Sequence, residues 1–376
     1  MKIIKTKITA LLFAIGFTSI AIAQGVTDNE IILGQSVALS GPAQELGKDM
    51  QMGAKLYFDY VNANGGVNGR KITLKTLDDG YEPPRSAENT KKLINEHKVF
   101  ALFGYVGTPT SQASLPIFTE SKVPFVGPFT GAELLRSPFN KYVFNVRASY
   151  YDETELIVNH LASRKQNKIA VLYQNDAYGQ AGLAGVEKAL SKRGLQVEAK
   201  ATVERNKEEV GDAVKTLNKE GIQAIVMIGA YKTCAVFIKE MKNAGSKAAF
   251  WNVSFVGSKA LAAELGPVGR GVQISQVVPF PWDNSIPVVK EYRLLLDKVN
   301  GDPGFGTLEG FLAAKVMVEG LKRAGSNLDR DGFIKAMETI KDHDFCGFKI
   351  NYSSDNHNGS KFVDLTVISK GGKFVR

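Results

Sequence analysis

Cysteine is scarce, with only Cys234 and Cys346 in 376 residues, which excludes a disulfide framework. The four histidines, His97, His160, His343 and His357, are scattered, and no Cys or His pair has zinc-ligand spacing, so no metal is expected. Missing as well are the Gly-x-Ser-x-Gly elbow, His-Glu-x-x-His, the phosphate-cradling Gly-x4-Gly-Lys-Ser/Thr and a Gly-x-Gly-x-x-Gly turn. Nothing pairs a nucleophile with a base, so neither an enzyme nor a bound cofactor is expected. Beyond the N-terminus no apolar run is long enough to cross a bilayer. The net charge of +9 is spread along the chain, and no segment gathers basic residues and aromatics into one stripe, so no nucleic-acid partner is expected.

What is present begins with Lys2, Lys5 and Lys7, followed by an apolar run from Ile8 to Ile22 and by Ala21-Ile22-Ala23 before Gln24. A basic start, a short apolar run and a small-x-small site read as an export signal cut after Ala23. An uncleaved membrane anchor is the competing reading, and the run is short for it. Export leaves the cysteines open. An oxidising compartment permits one bridge, yet Cys234 is in phase with Phe237, Ile238 and Met241 on the apolar face of an expected helix, where a free thiol packs as a small hydrophobe.

The remainder is 44% hydrophobic by whole-chain composition, enough for two to three domain cores. Short apolar runs alternate with amphipathic segments. Strands are expected at Ile31–Val37, Lys71–Leu77 and Val99–Phe103, with another beginning at Pro124–Val126; Met50, Ala54, Tyr57, Phe58 and Val61 share one helical face, and helices are expected at Pro84–Glu96 and Thr108–Glu120. A second series runs from Lys168–Tyr173 through Leu195–Val203 and Ala224–Ile228 to Ala248–Val253. Such alternation predicts an α/β fold of two doubly wound parallel-sheet lobes. After Val272 the pattern changes to two helices, Val288–Val299 and Leu308–Ala324, and hairpin-like strands around Phe348 and Phe362. A tail of that kind returns to both lobes.

In open α/β sheets a ligand sits beyond the carboxyl ends of the strands. Small, hydroxyl and aromatic residues recur there: Ser40-Gly41-Pro42, Tyr105 to Ser111, Gly127 to Gly131, Asp176 to Gly179, Gly229 to Tyr231, and Ser254. Ordinary turns use the same residue types, so the recurrence carries the argument rather than any one position. The adjacent acids Asp78-Asp79 and Asp152-Glu153 are expected to be caps and solvated charges.

Three stretches carry a resemblance: Ile31-Ile32-Leu33-Gly34 through Ser40-Gly41-Pro42, Asn62-Ala63-Asn64-Gly65-Gly66-Val67-Asn68-Gly69-Arg70, and Asp176-Ala177-Tyr178-Gly179. With Asp78-Asp79 and the later Gly310, Phe311, Ala313 and Ala314, the chain resembles the leucine/isoleucine/valine-binding group of periplasmic substrate-binding proteins of ABC transporters. The resemblance implies a type I periplasmic binding fold with a three-strand hinge. It also implies a monomer in the periplasm that closes on a small ligand and presents it to a membrane permease. A ligand-sensing domain of the same fold is the alternative. The expected lobes are 24–148 with 279–345, and 149–278 with 346–376.

By the same resemblance Thr108, Phe129 and Thr130 face the ligand's polar end, and Tyr178 and Tyr231 close over it from the second lobe. Tyr150 adds a flat wall. Two departures stand out: Leu46 where amino-acid-binding members often place Tyr, and Ser254 where they carry a Glu for the substrate ammonium. With no other acid between Ala248 and Lys259, the expected ligand keeps a carboxylate or amide but lacks the α-ammonium. Aromatic and aliphatic acids are included in that class.

Overall fold

The computed structural model describes residues 24–376; the expected export segment and its cleavage site lie outside the described residues. The first series consists of β1 (Glu30–Val37), α1 (Gln44–Ala63), β2 (Lys71–Asp78), α2 (Pro83–Asn95), β3 (Ala101–Phe103), α3 (Thr108–Glu120), β4 (Phe125–Val126) and β5 (Val143–Phe144). The second comprises α4 (Tyr150–Ser163), β6 (Ile169–Gln174), α5 (Ala177–Ser191), β7 (Ala199–Val203), α6 (Gly211–Leu217), β8 (Ala224–Ile228), α7 (Tyr231–Asn243), β9 (Ala249–Asn252), α8 (Ser258–Leu265) and β10 (Gln273–Gln276). The chain ends with α9 (Pro287–Asp297), α10 (Phe305–Ala324), α11 (Arg330–Glu338), β11 (His343–Asp344), β12 (Lys349–Ile350), β13 (Asp364–Ile368) and β14 (Phe374–Val375). The apolar spacing did not mark α4, α6, α8 or α11, the last of which buries only Phe333, Ile334, Ala336 and Met337.

Two sheets result. The first has the order β2-β1-β3-β4-β5, all parallel. The second runs β14-β13-β10-β9-β8-β6-β7, parallel from β10 to β7, with β13 and β14 added antiparallel. Each parallel core repeats one winding, so the strand order reverses between β1 and β3 in one lobe and between β6 and β8 in the other. At those points the outgoing loops diverge and leave a crevice. β8, Ala-Ile-Val-Met-Ile, is buried at every residue because helices cover both faces of the sheet.

Local chemistry starts the helices at the crevice. Asp176 accepts from the N–H groups of Tyr178 and Gly179, and Ser149 with Asp152 forms a capping box that opens α4. Helices α1 and α10 cross with their backbones in contact. A Cβ on Gly53 would stand 1.9 Å from the Thr307 carbonyl oxygen, and one on Gly310 would stand 2.4 Å from that of Met50. Only glycine permits that approach.

The tail makes its final passage later than the sequence expectation placed it. Residues 351–360 do not join the second lobe but run beside β5. The Asn145 N–H donates to the His357 carbonyl at 2.9 Å, the Gly359 N–H donates to Asn145 O at 2.8 Å, and the His357 ring stacks on Phe144. β13, beginning at Asp364, is the first returning strand of the second sheet. Cys234 is buried, Cys346 is exposed, and both are free thiols.

Candidate functional site

The crevices of the two sheets face one another, and the loops from both meet. Gly107, at φ 106°, turns the chain into α3 so closely under Tyr81 that a Cβ there would lie 2.3 Å from the ring. The next residue, Thr108, is fully buried with its hydroxyl 2.7 Å from that of Thr130. Thr130 in turn donates to the Tyr150 hydroxyl at 3.3 Å. These three expected site residues therefore form one polar wall.

Opposite that wall, Phe255 of the second lobe sits among rings from both sides. Its centroid is 4.6 Å from Tyr178, 5.6 Å from Phe129 and 5.9 Å from Tyr81. Tyr178 also meets Tyr150 at 5.5 Å. Tyr81, held at φ 64°, accepts from Gln174 Nε2 at 3.3 Å, across the gap between the sheets. Leu46 packs on Gly257, where a Cβ would touch its side chain at 2.6 Å. Tyr178 and Tyr231 are buried, and their hydroxyls have no hydrogen-bond partner among the described residues. What remains open between Leu46, Asp49, Phe129, Ser254, Gln276 and Glu309 is a cavity of about 10 Å³, room for one water at most. The cleft is shut in this structure.

The charge in this cleft comes from residues far apart in sequence. Arg147, fully buried, donates to Glu153 Oε1 at 2.8 Å, to Glu309 Oε1 at 3.4 Å and to the Ser254 hydroxyl. Glu153 also accepts from the Ser254 N–H at 2.8 Å and from the hydroxyls of Ser254 at 3.0 Å and Ser275 at 2.6 Å. Burial works against charge on Arg147, but Glu309 and Glu153 outweigh it and raise the guanidinium's hold on its proton. Burial pushes Glu309 up to about 7 although Arg147 opposes it, and pushes Asp49 up to about 6 against the pull of Lys259.

The two acid pairs divide. Asp152 caps α4, as expected, whereas Glu153 is wholly buried rather than solvated. Asp78 keeps some exposure, while Asp79 is buried and accepts from the Ser36 hydroxyl at 2.7 Å and the Tyr81 N–H at 2.8 Å. At the rim, Arg205 donates to Glu82 at 3.0 Å, and Asn206 donates to the Gly80 carbonyl at 3.0 Å and to Glu82 at 2.8 Å. At the other end Lys259 pairs with Asp302 at 2.8 Å. Both contacts join one lobe to the other.

Compared with known proteins, residues 30–373 match the model of a family described as periplasmic binding protein. The chain belongs to that family. It is similar to the leucine-, isoleucine-, valine-, threonine- and alanine-binding protein of Pseudomonas aeruginosa, with 23% identity over 96% of this chain and 94% of that one. It is also similar to the crystal structure of a possible leucine/isoleucine/valine-binding protein from Rhodopirellula baltica: 32% identity, TM-score 0.88, covering 93% of this chain and 97% of that one. A substrate-binding periplasmic protein from Ralstonia solanacearum gives 30% identity and a TM-score of 0.87, over 92% of this chain and 99% of the other. The type I fold expected from the resemblance is thus the fold of the chain, which is a periplasmic solute-binding protein and not an enzyme.

Sequence reasoning about this family member missed Arg147, Glu153, Glu309, Tyr81 and Phe255. Its inference that the Ser254 region carries no charge needs correction. No acid lies near Ser254 along the chain, but Glu153 and Arg147 reach it in space and Glu309 shares its cavity. One signal was available: Glu309 is the sole acid in the part of α10 from Thr307 to Ala314, where every residue is buried.

Proposed function

We propose that the protein is the substrate-binding component of an ABC importer. It takes one small amphipathic solute, amino-acid-like or bearing a carboxylate or amide, into the cleft between the lobes and hands it to a membrane permease. The observation that carries this reading is the shut cavity, lined from both lobes and held closed by contacts at both rims. Contacts made from two sides at once exist only in the closed form, so a ligand that makes them shifts the population towards closure. In this reading Thr108, Thr130 and Ser254 meet the ligand's polar groups, while Leu46, Phe129, Tyr150, Tyr178 and Tyr231 form its walls. The moving units centre on the two sheets, with the chain passing between them near 148, near 278 and just after Ser360. The protein works as a monomer, without nucleic acid, after losing its first 23 residues.

The test is a thermal-shift screen of the purified mature protein against amino acids, aromatic and aliphatic acids and their amides. A ligand that binds only the folded state raises the midpoint by mass action. A shift with one chemical class at micromolar concentrations supports the reading, and a flat response across all three classes overturns it.

A further inference from the structure

The two carboxylates on Arg147 are not equivalent. Glu153 is held by Arg147, by the backbone of Ser254 and by the hydroxyls of Ser254 and Ser275, which satisfies it fully. Glu309 has Arg147 alone, at 3.4 Å, and lines the cavity. The guanidinium lies 5.4 Å from the centre of the Phe129 ring and 5.8 Å from that of Tyr150, the walls assigned to the ligand. Its Nε–H, buried, has no partner among the described residues. An unpaired buried donor on a fixed cation is a place for an anion.

Resting on the cleft reading above, we infer that Arg147 is the anion-binding residue of the cleft and Glu309 its exchangeable partner. A ligand monocarboxylate displaces Glu309 from the guanidinium, Glu153 stays in place, and the Glu309 carboxylate takes one proton from solvent as the anion enters. The ligand class is therefore a monocarboxylate with a flat or branched apolar body.

Charge balance requires the proton. One guanidinium already faces two carboxylates, and a third buried anion beside it is opposed unless one is neutralised. The groups facing Glu309 are Arg147 from the end of the first sheet, Glu153 from α4 and Asp49 from α1 across the cavity. Lys315, further along α10, is paired with Glu291 of α9, and Lys259 of α8 with Asp302. Glu309, pushed up by burial to about 7, is the acid best placed to take the proton at neutral pH.

Calorimetric titrations of the mature protein with 4-methylpentanoate, phenylacetate, their two amides and leucine, at pH 8 in phosphate and in Tris, test this. The carboxylates are expected to bind more tightly than the amides and leucine, with uptake of close to one proton per ligand. Their affinity falls about fivefold from pH 7 to 8 and about tenfold from pH 8 to 9. Glu309→Gln, neutral and of the same shape, binds them without proton uptake and with a flat pH response, while Asp49→Asn keeps the uptake. Amides or leucine binding better than the carboxylates, no proton uptake, or uptake that survives Glu309→Gln each overturn the exchange while leaving the cleft reading intact. Binding of none of the five overturns the ligand class in both.

Discussion

Glu153 Oε2 lies 2.8 Å from the backbone nitrogen of Ser254, joining the first turn of α4 to the end of β9 at the floor of the cleft. Ser254 brings no charge of its own, yet it stands in a charged site because of this contact. Glu153 and Arg147 therefore make the charged junction at the floor of the cleft.

Removing one partner of that junction is costly, because the other stays buried. Glu153→Gln leaves Arg147 with Glu309 but takes the anionic acceptor from the Ser254 N–H and the Ser275 hydroxyl, and is expected to destabilise the fold by about 1–3 kcal/mol; Ser254→Ala is expected to cost about 1 kcal/mol, for one lost hydroxyl. Urea denaturation of the two variants measures both. Equal, small effects would show that water or another group satisfies these donors.

The rim contacts predict an opening equilibrium. Surface pairs contribute about 0–1 kcal/mol each, so Arg205→Ala shifts the ligand-free population towards the open form by no more than about fivefold. Solution scattering should give a larger radius of gyration for the variant without ligand and the same value as the parent with saturating ligand. If the free parent protein already scatters as the closed structure, hinge motion is not how the cavity is filled.

The crossing of α1 and α10 has no room for a methyl group. Gly310→Ala is expected to cost about 1–3 kcal/mol as the helices separate. Because α10 carries Glu309, it should also loosen the cleft. Thermal unfolding reads the first effect and ligand affinity the second; an unchanged midpoint would mean that the helices slide apart freely.

Asp78 should govern part of the acid response. Burial raises its carboxyl, but hydrogen bonds from Ser40, the Leu39 and Gly80 N–H groups and Arg85 outweigh this and hold it at about 2. A carboxylate depressed in the folded state stabilises above its ordinary value near 3.8, and that stabilisation is lost as pH falls towards 2. Asp78→Asn should flatten the acid limb of the stability curve between those values and leave its slope at pH 6 to 8 unchanged.

Exported protein should begin at Gln24. N-terminal sequencing of the periplasmic fraction decides this, and Met1 retained in a membrane fraction would mean that the segment serves as an anchor.

The sequence by itself determined most of the elements and their order, because the forces that set those are local. The buried run of β8, the Asp176 cap, the prolines opening α2 and α9 and the glycines after α1 all act within a turn or two of where they stand. It also placed Thr108, Thr130, Tyr178 and Tyr231 at strand ends, where a doubly wound sheet puts its crevice. Tertiary structure alone decided the charge. Arg147 meets Glu309 across 162 residues and Ser254 across 107, separations over which periodicity carries no information. The same holds for the strip 351–360, which chooses β5 through hydrogen bonds to Asn145. Asp152 and Glu153 show the limit most closely. Side chains one residue apart on a helix point about 100° away from each other, so Asp152 turns back to cap Ser149 while Glu153 turns inward, and only the packing of α4 against β10 set which of the two became part of the site.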